Sequence, residues 1–195
     1  MGAVQTVRTA EVRWFRPGAL PGPVALWFGA LGEPVAPESR TDRYLAPTSD
    51  ALGVKLREGR LEPKRRSGTG GLLQAGRAQA TVGTWAKWSF PLADPDPLGS
   101  GPAEADRGEG LVAVSKTRRQ RHVAAGGGSC ALEIAEVEAR GARWWSVCLE
   151  ASGPDAAARR AALDAGAAWL ARPDAPALPA EAAMGYPAWL RSLAS

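Results

Sequence analysis

A chain of 195 residues has room for one sizeable core and not for two ordinary domains. Its 24 Lys and Arg outnumber its 20 Asp and Glu, and the cationic excess falls in residues 51–121, which suits an anionic partner. Two cysteines, Cys130 and Cys148, lack any metal or redox spacing, and the apolar run 24–31 is too short to span a bilayer. A cytoplasmic protein with reduced, buried cysteines and no membrane association is therefore expected, and no signal peptide is visible.

Side chains on a strand alternate between two faces, and this period runs through most of the chain. In residues 6–15 (TVRTAEVRWF) it puts Thr9, Glu11 and Arg13 on one face and Ala10, Val12 and Trp14 on the other. Residues 16–34 form a proline-bracketed insertion, with Val24, Leu26, Trp27 and Phe28 in a strand or a short helical turn. Asp42 and Tyr44 sit where a strand enters the sheet. Residues 52–66 (LGVKLREGRLEPKRR) read as two strands around a tight turn at Glu58, Gly59 and Arg60. One face of that hairpin carries Lys55, Arg57, Glu62, Lys64 and Arg66, while Val54, Leu56 and Leu61 take the other. So many cations on one face repel each other unless water or an anion lies among them.

The glycine-rich residues 68–76 lack the GK[ST] of a phosphate loop and read as a turn. Residues 78–90 follow as a strand with Trp85, Lys87 and Ser89 on one face and Ala86, Trp88 and Phe90 on the other. Residues 91–110 are rich in proline, glycine and acid, the composition of a flexible surface loop. In 111–122, Lys116, Arg118 and Gln120 share a face, with Arg119 and Arg121 on the opposite, exposed one. Glu133 differs in parity from Glu136 and Glu138. In 144–151, Ser146, Cys148 and Glu150 oppose Trp145, Val147 and Leu149, and Trp144 can line a wall of whatever the charged faces enclose. Residues 154–172 carry alanines with Leu163, Ala167 and Leu170 at helical spacing, behind Asp155 as a start signal. If the strands close, their charged faces converge on a lumen suited to a polyanion and a divalent cation.

The order of these motifs resembles the CYTH or triphosphate-tunnel superfamily, which includes inorganic and thiamine triphosphatases and class IV adenylate cyclases. Thr9-Ala10-Glu11-Val12-Arg13 stands where the family has ExExK. Asp42 and Tyr44, the LRxR-like Val54-Lys55-Leu56-Arg57, Lys64, Lys116-Thr117-Arg118, Glu133, Glu150 and a closing Gly185-Tyr186-Pro187 follow in order. The resemblance implies one mainly β (α+β) domain over 1–195, an antiparallel eight-stranded tunnel-like barrel with peripheral helices. It implies a metal-dependent phosphoanhydride hydrolase acting on a triphosphate-bearing substrate. Glu11 and Lys64 take the catalytic roles, and Arg13, Lys55, Arg57, Lys64, Arg66, Lys87, Lys116 and Arg118 hold phosphates. Glu11, Glu150, Glu62 and Glu133 hold Mg2+ or Mn2+.

Thr9 and Cys148 stand where the family places carboxylates, which thins the metal set. The alternative is a non-catalytic polyphosphate- or nucleotide-binding protein with a degenerate metal site, and Glu11 then serves as a salt-bridge partner of Arg57 or Lys64. Nucleic acid is not an expected partner, since no recognition motif is visible; RNA binding through residues 116–121 is the weakest reading.

Overall fold

The computed structural model describes residues 4–93 and 110–194. The expected residue 91–110 loop thus lies largely outside the described residues. Eight antiparallel strands close into a barrel: β1 (Gln5–Pro17), β2 (Glu38–Leu45), β3 (Leu52–Arg57), β4 (Arg60–Ala75), β5 (Ala78–Pro91), β6 (Leu111–Ala125), β7 (Gly128–Ala139) and β8 (Ala142–Ser152). Their order around the wall is β1-β5-β4-β3-β2-β6-β7-β8, and β8 returns to β1. The mainly β barrel with peripheral helices expected from the sequence is therefore the observed architecture. Three helices lie at its periphery: α1 (Gly22–Gly29), α2 (Ala156–Leu170) and α3 (Tyr186–Ser192). None among the described residues is long and apolar enough to cross a membrane.

Closure follows from tight hairpins. The β3–β4, β6–β7 and β7–β8 links each place two residues at positive φ: Glu58 and Gly59, Gly126 and Gly127, Arg140 and Gly141. Such primed turns match the right-handed twist of the strands they join. The first is a two-residue turn, so Arg60 already belongs to β4. Residues 68–76, expected to be a turn, instead continue β4, with register shifts between Arg66 and Gly68 and between Thr69 and Leu72. Glycines there serve bulges, and the reversal comes later, at Gly76 and Arg77.

The two faces of the wall pack separately. Outside, Ala10, Val12, Trp14, Leu132, Ile134, Val147 and Leu149 meet Ala162, Leu163 and Leu170 of α2. Asp155 caps α2, its carboxylate accepting from the Ala158 N–H at 2.8 Å. The insertion expected as a strand or turn contains α1, which buries Val24, Trp27 and Phe28. Arg121, expected to be exposed, is half-buried: its guanidinium donates to the Phe28 carbonyl at 3.1 Å and to the Gly32 carbonyl at 3.0 Å. A cation placed at the carboxyl end of α1 explains that position.

Inside, one end of the barrel is filled. Phe15, Tyr44, Val112, Val114, Ala135 and Val137 pack against Trp189 and Leu190 of α3. Phe15 stacks on Trp189 at 4.6 Å, and Tyr186 stacks on Tyr44 at 5.4 Å. Trp144 also meets Trp189, edge-on at 6.3 Å, so it belongs to this apolar plug and not to a ligand wall.

Candidate functional site

Above the plug the inward face becomes charged. By strand parity it carries Arg13, Arg40, Lys55, Arg57, Lys64, Lys87, Lys116 and Arg118, among Glu11, Asp42, Glu62, Glu133 and Glu150. The pairing register divides them into three groups.

The deepest centres on Glu133. Arg13 on β1 and Glu133 on β7 both face Cys148 of β8, which lies between them in one rung. The small thiol leaves room for the Arg13 guanidinium to donate to Glu133 at 2.9 Å and to the Ser146 hydroxyl at 3.2 Å. Lys116 donates at 2.8 Å, Gln120 at 3.0 Å and Arg118 at 3.2 Å to the same carboxylate. Despite burial, the Arg13 and Lys116 charges hold Glu133 well below the usual carboxylate range. Burial in turn pushes Lys116 down, more strongly than Glu133 pulls it up. Glu133 at this position was legible from the sequence, but its role as the hub of four donors was not.

The second group lies across the β1–β8 seam, where Glu11 and Glu150 face one another directly. Lys64 reaches over from β4 and donates to both, to Glu150 at 3.0 Å. The Lys64 charge brings Glu150 down to about 2, and the two carboxylates raise Lys64 against the opposing effect of burial. The salt bridge expected between Glu11 and Arg57 or Lys64 thus forms with Lys64.

Glu62 anchors the third group. It lies 3.2 Å from Lys55, 3.5 Å from Arg57 and 3.5 Å from Lys87, and accepts from the Ser89 hydroxyl at 3.3 Å. Three cations share that single carboxylate, with Asp42 a further 3.6 Å from Lys55. Burial pushes Lys55 down to about 8, more than Asp42 and Glu62 restore. The two clusters from opposite walls meet in a cavity of about 100 Å³ bounded by Glu11, Arg13, Lys55, Glu62, Lys64, Lys87 and Tyr186.

The sequence-derived phosphate set therefore converges, with one exception. Arg66 lies apart, its guanidinium 5.1 Å from the centre of the Trp85 ring. The metal set does not converge. Glu62 and Glu133 each belong to a separate cationic group, and Glu11 and Glu150 are bridged by Lys64. Among the described residues no three His, Cys, Asp or Glu side chains stand together as metal donors. A divalent ion held by protein oxygens needs more carboxylate than two groups already bridged by an ammonium, so these residues do not fit a resident metal. No protein-family model matches the sequence, and no curated protein matches it.

Proposed function

We propose that the barrel lumen binds a phosphate chain, either free tripolyphosphate or the triphosphate end of a small molecule. On this reading the chain is a divergent relative of the CYTH tunnel proteins with a degenerate metal site. The observation that carries it is the cation excess around the central cavity, where Lys55, Arg57 and Lys87 share Glu62. Lysines pushed down by burial gain an anionic partner when phosphate oxygens enter, and guanidinium groups match those oxygens two at a time. Arg13, Lys55, Arg57, Lys64, Lys87, Lys116 and Arg118 supply the donors. The test is calorimetric titration with tripolyphosphate in EDTA at two salt concentrations. Salt-sensitive binding that weakens in Lys64→Ala and Lys55→Ala is expected; no binding refutes the proposal.

A second reading, metal-dependent hydrolysis of the same ligand, is favoured by the Glu11–Glu150 pair. Two carboxylates suffice for magnesium where substrate phosphates complete the shell. Phosphate release from tripolyphosphate and ATP, with magnesium, manganese or EDTA, decides it. Turnover that needs the metal and disappears in Glu11→Ala supports hydrolysis; binding without turnover leaves the tunnel as a binder.

A further inference from the structure

The barrel wall opens where β1 and β5 separate. Their pairing ends at Glu11 opposite Gly83. Beyond that rung the free edge of β1 is taken by the segment before α3, through a bridge from Trp14 to Ala183 and a 2.8 Å bond from the Met184 N–H to the Arg13 carbonyl. A cavity of about 280 Å³ lies in this window, walled by Arg66, Thr69, Gln79, Thr81, Trp85 and Met184. Glu11, Arg13 and Trp85 border both this cavity and the lumen, so the two spaces adjoin.

Arg66 is the cation of the window. It forms no ion pair among the described residues, and its Nε is buried without a hydrogen-bond partner. A donor left so is costly until an acceptor reaches it. Its guanidinium already stacks on Trp85, and a guanidinium plane stacks equally on a second flat ring. Thr69, Thr81 and Gln79 bring hydroxyls and an amide to the same space, donors and acceptors for a ring edge. The volume approaches the lower end of small-molecule sites, roughly 300–1,000 Å³. A bare phosphate chain has no flat face to place there.

We propose that this window is a second subsite, holding a planar, acceptor-bearing ring carried on the phosphate chain, as in a nucleoside triphosphate. Arg66 and Trp85 determine that preference, and the phosphates pass Glu11 and Arg13 into the lumen. The inference rests on the lumen binding phosphates.

The experiment is calorimetry in EDTA with ATP and with tripolyphosphate, on the wild type, Thr81→Trp and Arg66→Gln. Thr81 is exposed at the window and outside the lumen, so tryptophan there fills the subsite. The wild type is expected to bind ATP about tenfold or more tighter than tripolyphosphate, the scale of a hydrogen bond to a charged group. Both variants are expected to bring that ratio close to one. Equal wild-type affinities, or a ratio unmoved by both variants, overturn the subsite while leaving the lumen reading intact. ATP binding that is sensitive to Thr81→Trp, without any tripolyphosphate binding, keeps the subsite and overturns the lumen reading. Binding of neither anion overturns both.

Discussion

Glu133→Gln removes one charge from the most heavily coordinated carboxylate in the barrel and keeps its shape. Glu133 is 3% exposed and accepts from Arg13, Lys116, Arg118 and Gln120. Removing one member of a buried ionic group costs about 3–5 kcal/mol, because the partners stay buried without compensation. For a chain of this length each kcal/mol lowers Tm by about 2–4 °C, so a fall of roughly 6–20 °C is expected in thermal unfolding. Glu138→Gln on the same strand, at an exposed position, is the control and is expected to stay within about 0.5 kcal/mol of wild type. The lumen reading adds a second expectation. Tripolyphosphate should raise the Tm of Glu133→Gln by more than that of wild type, since its oxygens replace the lost carboxylate. A Tm within about 2 °C of wild type refutes the energetic argument. A ligand shift no larger than that of wild type refutes the claim that phosphates reach Arg13 and Lys116.

Other expectations follow from the same charges. Lys55 titrates at about 8 in the folded protein, so tripolyphosphate affinity should fall as pH rises from 7 to 9, and Lys55→Arg should flatten that fall; an identical slope in the variant counts against Lys55 as a donor. Glu133 and Glu150 have folded pKa values depressed below the usual 4.5, so they stabilise the fold above 4.5. That contribution should be lost progressively as pH falls from 4.5 through about 2, visible as a declining denaturation midpoint that Glu133→Gln makes shallower. Gly83 lies under the Trp85 indole, where a Cβ would come 2.6 Å from its nitrogen. Gly83→Ala should therefore displace that ring, change its near-ultraviolet circular dichroism and cost about 1–3 kcal/mol; an unchanged spectrum removes Trp85 from the window.

Period-two alternation carried most of the fold and the inward set, because parity alone assigns faces once strands are recognised. Glu11, Arg13, Lys64, Lys116 and Glu133 were found that way. What parity omits is which side chains meet across the lumen. Lys64 lies far along the chain from Glu11 and Glu150, and the closed barrel brings it between them. Cys148 looked like a missing carboxylate and turns out to be the gap through which Arg13 reaches Glu133. The bulges in β4 were hidden because glycine marks turns and bulges alike. The window beside Trp85 was invisible for another reason: it exists only because the segment before α3 replaces β5 on the edge of β1.

The interior itself argues for a ligand. Two halves of one barrel solve the same packing problem in different ways. At the α3 end, Phe15, Tyr44, Val112, Val114 and Val137 fill the space with apolar rings and branched chains, closed by Trp189. That is the stable solution, since well-packed apolar groups match or exceed buried ion pairs of similar volume. The other half keeps Arg13, Lys55, Lys64, Lys87 and Lys116 around a cavity, with Lys55 held down to about 8 by its burial. Nothing in the wall forbids continuing the apolar packing upward from Tyr44 to Asp42 or from Val114 to Lys116, residues two apart on the same faces. Stability alone therefore does not account for the charged half. An anion that takes several cations at once does, and the unequal division of carboxylates among those cations shows where its oxygens are needed most: beside Lys55, Arg57 and Lys87, which share Glu62.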